Sequence, residues 1–242
     1  MVGILSKIQT FSISKLFRRL VNWILTSAGL KEIWEHQIMK GVPRHARNPL
    51  WCLGGVTLVA FIVQVMSGTF LATYYVPSVD HAWDSIRYIE QEVPFGYIIR
   101  NIHRWTANIM VITLVLHAMR VYFTKAYKKP RELNWMIGVT LFFMTIGIAF
   151  TGYILPWDQR AFWAATVGTN MITALSGMPI IGSFLLPITQ FAREVFIGGG
   201  EIGPSTLTRF YGFHILIFPL SIMLLLLTHF YLVRKHGIAD PL

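Results

Sequence analysis

Four histidines stand inside stretches that are otherwise almost wholly apolar: His103 and His117 in one, His214 and His229 in another. Ionisable side chains at such positions are costly in a bilayer, which makes each a functional candidate by default. His103 and His117 are 14 residues apart. On a helix that is about 3.9 turns, so both project from nearly the same face about 21 Å apart along the axis. His214 and His229, 15 residues apart, come close to repeating the pattern. Neutral imidazole is a metal ligand, and two of them fill both axial positions of a haem iron, leaving an electron carrier rather than an oxygen-binding centre. A lone membrane histidine is more often a hydrogen-bond partner of a neighbouring helix. Four at matched spacing make two b-type haems the stronger reading.

Four stretches meet the length of about 20 residues that a hydrocarbon core demands: approximately 50 to 75, 101 to 123, 134 to 155 and 207 to 233. The 242 residues are 54% hydrophobic and 13% charged, more apolar than the roughly 45 to 50% of soluble domains. The expected fold class is an all-α membrane protein, a four transmembrane helix bundle with a di-haem core and an N-terminal amphipathic surface helix. The expected division is residues 1–48, a cytoplasmic amphipathic segment, and 49–242, the four-helix domain. Within residues 11 to 27, Ile13, Leu16, Phe17, Leu20, Val21, Ile24 and Leu25 recur at three-and-four spacing opposite Lys15, Arg18 and Arg19. A twin-arginine signal is the competing reading there, but no small-residue cleavage site closes it.

A net charge of +10 could point to nucleic acid, yet the cations are sorted by loop. They crowd the segment before the first span and the connection between the second and third, where Arg120, Lys125, Lys128, Lys129 and Arg131 stand. The first-to-second connection instead carries Asp80, Asp84, Glu90 and Glu92. This is the positive-inside pattern of a multi-pass protein in a lipid membrane with both termini cytoplasmic, and no nucleic-acid partner is expected. Helices two and four then both run from outside to inside, so the histidines pair by level: His103 with His214 near the outer surface, His117 with His229 near the inner one. The long connection of about 156 to 206, with Pro156, Pro179, Pro187 and the run Gly198 to Gly200, is expected to fold as short helices at the outer surface, walling a ligand site.

A macrocycle wedged between helices needs neighbours without side chains. Gly54 and Gly68 in helix one are 14 apart, as are Gly138 and Gly152 in helix three. Since those helices run inside to outside, Gly54 and Gly138 fall at the inner level, and Gly68 and Gly152 at the outer. Either pair alone is ordinary helix packing; the shared spacing is the signal. Arg100 and Arg120 lie one turn outward from His103 and His117 and are candidate partners for haem propionates, with Arg104 a further one; as ordinary interfacial anchors they would snorkel to the headgroups. The single cysteine, Cys52, excludes a disulfide within the chain. A cysteine of this kind is commonly inert, but Cys52 opens helix one at the level of His117 and His229.

From about Pro43 to Leu242 the chain resembles cytochrome b6, the N-terminal half of the cytochrome b family. The resemblance is carried by Trp51-Cys52-Leu53-Gly54-Gly55, Asn101-Ile102-His103-Arg104-Trp105, Lys128-Lys129-Pro130-Arg131-Glu132-Leu133 and Thr206-Leu207-Thr208-Arg209-Phe210. The 15-residue separation in helix four is the b6-type spacing, and the chain ends where cytochrome b6 does. What this implies is a subunit of a quinol:cytochrome c oxidoreductase of the b6f/bc type, incomplete alone. The expected partners are a subunit with the remaining cytochrome b helices, a Rieske iron–sulfur protein and a cytochrome c-type subunit, in a dimeric complex. The implied activity is a Q cycle, with quinol oxidised near the outer face and quinone reduced near the inner one. By the same resemblance Cys52 would bind a third, c-type haem through one thioether bond, and Arg234 would stand beside it and its quinone pocket. Leu155-Pro156-Trp157-Asp158-Gln159 with Phe162-Trp163 looks closer to bacterial cytochromes b of the bc type, which implies a bacterial plasma membrane, and Asp158 is expected near the quinol site. Two rivals remain: a di-haem membrane anchor of a formate dehydrogenase or hydrogenase, and a metal or proton transporter with intramembrane histidines.

Overall fold

The computed structural model describes residues 13–27, 29, 51–179 and 181–239. Most of the segment 1–48, with its cations outside 13–27, lies outside the described residues. Helix α1, Ile13–Ser27, shows Phe17, Leu20 and Trp23 to solvent, a large apolar surface for so short a helix.

Four helices are long and apolar enough to cross a membrane: α2, Leu53–Ala72; α4, Gly96–Phe123; α5, Glu132–Ile154; and α8, Pro204–His236. Their lipid-length surfaces carry exposed Ile, Val, Leu, Met and aromatic side chains, as a bilayer solvent favours. No strand occurs among the described residues.

The connections hold more helix than expected. Between α2 and α4 lies α3, Ala82–Gln91, burying Ala82, Ser85, Ile86 and Ile89 while Trp83 and Tyr88 face out. Its acidic residues masked that one-sided apolar pattern in the sequence. Glu90 of α3 forms an ion pair with Arg100 of α4. The turn between them needs a glycine, because a Cβ on Gly96 would strike the carbonyl oxygen of Ile89, so α4 starts five residues before the expected boundary. The long connection holds α6, Gln159–Ala174, and α7, Gly182–Ile197, each a full 16 residues. Asp158 caps α6 by accepting from the Ala161 N–H at 2.8 Å. Gly198 closes α7 in the left-handed conformation, φ 78, and Arg209 donates to the Glu194 and Val195 carbonyls at its end, at 2.9 and 2.7 Å. Pro204 opens α8 at its first turn.

α2 packs along α4, and α5 along α8. Between the pairs, one layer is shared by all four helices: Ala60 and Phe61 of α2, Met110 of α4, Leu141 of α5 and Ile222 of α8 are buried together, with Phe218 and Leu225 against them. In α2, α4 and α8 this layer sits midway between the two histidine levels, while Leu141 of α5 stands three residues from Gly138. α4 and α8 themselves scarcely approach each other by backbone. Tyr75 ties α2 to the other pair: its hydroxyl donates to the Leu155 carbonyl at 2.6 Å and its ring lies 5.4 Å from that of Tyr211, tilted by 34°.

Candidate cofactor site

His103 and His214 face each other across the gap between α4 and α8, ring centroids 6.3 Å apart and planes 79° to one another. Two imidazoles at that separation could hold one metal ion between them, each through one ring nitrogen. Among the described residues no three His, Cys, Asp or Glu side chains gather, so a bare ion would find two protein donors per level. A planar tetradentate ring supplies the other four, which is the chemistry of a haem. His117 and His229, on the same two helices, form the second level.

Each of the four glycines lies against the imidazole of its own level. A Cβ on Gly68 would stand 3.1 Å from His103 Cε1, on Gly54 3.0 Å from His117 Cε1, on Gly138 3.5 Å from His229 Cε1, and on Gly152 2.5 Å from His214 Cε1. The spacing of 14 along α2 and α5 is thus the spacing of the ligand rings they flank.

The extra residue between His214 and His229 has a local cause. An α-helix turns about 100° per residue, so a fifteenth residue would swing one histidine well off the face that fourteen preserve. Residues Phe213–Ile217 form a single π-helical turn, which takes up one residue and restores the phase. Pro219, with no N–H to return to the preceding turn, follows directly.

Both rings of the first level are oriented through Nδ1. His103 Nδ1 lies 2.9 Å from Ser67 Oγ, while the Gln64 side chain donates to the His103 carbonyl at 2.7 Å. His214 Nδ1 lies 3.0 Å from the Ile148 carbonyl and 3.3 Å from Thr151 Oγ1. Sequence reasoning missed Gln64, Ser67 and Thr151, although a signal was present: each glycine of this level follows a hydroxyl residue. The other level differs. Leu53 and Ile137 precede its glycines, and His229 leans toward the Asn134 backbone with Nδ1 buried and short of a full hydrogen bond.

The arginines divide. Arg100 is engaged by Glu90, Arg104 is exposed, and Arg120 lies over the Trp51 ring at 3.7 Å with its buried Nε unbonded, near the His117 level. Cys52, exposed, occupies the N-cap of α2 next to Trp51, and Arg234 lies in the last turn of α8. Asp158 is committed to capping α6. Beside Thr151, a cavity of about 230 Å³ opens between α5, α6, α7 and α8, lined by Phe150, Gly168, Phe196 and Phe210.

The cytochrome b/b6/petB family pattern matches residues 38–237. Cytochrome b6 of Prochlorococcus marinus (strain MIT 9515) is 41% identical over 221 residues, 91% of this chain and 96% of that protein. The menaquinol:cytochrome c reductase cytochrome b subunit of Bacillus subtilis (strain 168) is 37% identical over 234 residues, 94% of this chain and 100% of that one. Among solved structures, a chain of a hyperthermophilic respiratory Complex III superposes with a TM-score of 0.81 at 36% identity, covering 91% of this chain and 56% of that longer one. With the family pattern over most of its length, paired histidines across two helices and relatives matched nearly end to end, the chain belongs to the cytochrome b/b6 family.

Proposed function

We propose that this multi-pass membrane chain is the di-haem cytochrome b subunit of a quinol:cytochrome c-type oxidoreductase, linking quinol oxidation near the outer face to quinone reduction near the cytoplasmic face. The observation that carries the reading is the His103–His214 pair, 6.3 Å between centroids in a gap that α4 and α8 leave open. When bound, haem supplies reversible one-electron transfer.

The chain's own residues set where that chemistry happens. His103 and His214 hold the outer group, and His117 and His229 the inner one. Gly54, Gly68, Gly138 and Gly152 keep side chains out of both spaces. The layer of Ala60, Phe61, Met110, Leu141 and Ile222 keeps water from joining the levels. Arg120 is the partner for an inner propionate, its Nε buried and unbonded; Arg100 serves the outer one by exchanging Glu90 for it. Cys52 carries a c-type haem through one thioether, with Arg234 beside it. The aromatic cavity between α5, α6, α7 and α8 receives the quinol ring at the outer level. A bacterial plasma membrane, cytoplasmic termini, a subunit with the remaining cytochrome b helices, a Rieske protein, a cytochrome c-type subunit and a dimeric assembly complete the proposal. The Bacillus subtilis relative, named as the cytochrome b subunit of a menaquinol:cytochrome c reductase, supports it.

The test is genetic and biochemical. In membranes of a host deleted for the chain, quinol-dependent cytochrome c reduction should vanish and return with the parent gene but not with His214→Ala. Full activity without the chain would reject the reading, and normal activity of His214→Ala would reject the site.

A further inference from the structure

The two histidine levels differ in the residue before each glycine. At the His103–His214 level these are Ser67 and Thr151; at the His117–His229 level they are Leu53 and Ile137. Both hydroxyls are already spent as donors on their own helices. Ser67 donates to the Val63 carbonyl at 2.6 Å, and Thr151 to the Ile148 carbonyl at 3.0 Å or the Gly147 carbonyl at 3.1 Å. Toward the imidazoles they can therefore only accept. With Nδ1 turned to these partners, Nε2 is the nitrogen left to face the gap, so Nδ1 carries the proton and donates it: from His103 to Ser67 at 2.9 Å, and from His214 to the Ile148 carbonyl at 3.0 Å with Thr151 as a second acceptor at 3.3 Å.

A proton shared out of Nδ1 leaves the ring richer in electrons, makes Nε2 a stronger base toward a metal, and favours the metal's higher oxidation state. The opposite level has no hydroxyl before its glycines, and the His229 Nδ1 turns toward the Asn134 backbone without a full hydrogen bond.

We propose that Ser67 and Thr151 are positioning residues which, acting through His103 and His214, lower the midpoint potential of the outer haem and fix the planes of its ligands. This rests on the di-haem reading above and adds to it the residues that make the two centres electronically unequal. Ser67 is the stronger of the two, because Thr151 shares its histidine with a backbone carbonyl that no substitution removes.

The experiment is a potentiometric titration of the b-type absorption in the purified complex, with electron paramagnetic resonance of the oxidised state. The variants are Ser67→Ala, Thr151→Val, the conservative Ser67→Thr, and the reciprocal Ile137→Thr. Ser67→Ala should raise one of two midpoints and move that centre's low-spin signal while the other stays in place. Thr151→Val should raise the same midpoint by less, Ser67→Thr should restore it, and Ile137→Thr should lower the other. Because Thr151→Val and Ile137→Thr leave Ser67 intact, they decide the matter even where Ser67→Ala fails to assemble. Unmoved midpoints in assembled variants, or Ser67→Ala and Ile137→Thr acting on one centre, would overturn the proposal while leaving two haems standing. A parent complex without two b-type midpoints would overturn the di-haem reading and this inference together.

Discussion

Adding one methyl group at Gly152 and at Gly138 should give opposite results, although both glycines occupy equivalent places in α5. At Gly152 the new Cβ would stand 2.5 Å from His214 Cε1, 3.0 Å from Nδ1 and 3.2 Å from Nε2. Carbon pairs rest at about 3.5–4.0 Å, so the overlap is about 1 Å. The ring cannot simply turn away, because Nδ1 is tied to the Ile148 carbonyl. Overpacking of this kind costs about 1–3 kcal/mol, and since the strain falls on the ligand itself it should lower occupancy of the outer haem about 5- to 150-fold. At Gly138 the same methyl would sit 3.5 Å from His229 Cε1, an ordinary contact. Both variants gain about 1 kcal/mol of helix propensity, which cancels in the comparison. Pyridine haemochrome on the purified complexes, normalised to chain, measures the difference: about one haem b lost with Gly152→Ala, none with Gly138→Ala. Equal retention, or greater loss at Gly138, would refute the assignment of these glycines to their histidines.

Other perturbations probe separate parts of the account. Cys52→Ala should abolish haem staining of the chain on denaturing gels while both b-type haems remain; persistent stain would place the covalent link elsewhere. Tyr75→Phe removes the hydroxyl bonded to the Leu155 carbonyl and should cost about 0.5–1.5 kcal/mol, read as a lower thermal midpoint in detergent, whereas an unchanged midpoint would show that bond to be idle. Arg209→Ala frees two carbonyls at the end of α7 and should expose the 175–203 segment to limited proteolysis, with the four spans left resistant. Glu90→Gln should weaken the hold on Arg100 and change the outer midpoint more than the inner; an effect confined to the inner centre would remove Arg100 from the outer level.

Much of this was legible in the sequence because the bilayer imposes simple rules. Length and apolarity marked the four spans, and the histidine and glycine spacings ordered them by level before any packing was known. What escaped had a physical reason in each case. Helix α3 was hidden because its acidic residues read as a loop, although Ala82, Ser85, Ile86 and Ile89 share a buried face. The π-helical turn at Phe213–Ile217 left no mark beyond one surplus residue, since a change of hydrogen-bond register alters no composition. The capping role of Asp158 escaped as well, because it depends on where α6 begins. Ser67 and Thr151 were passed over because hydroxyl residues commonly bond their own helix in apolar surroundings, and only their placement beside His103 and His214 sets them apart.

The central claim is that α4 and α8 hold two haems at two levels, and it is tested most directly by counting. Pyridine haemochrome of the purified complex should give two b-type haems per chain for the parent and one for either His103→Ala or His117→Ala, each variant losing a different one of the two midpoints. Loss of both haems from each assembled single variant, or a parent with fewer than two, would contradict it.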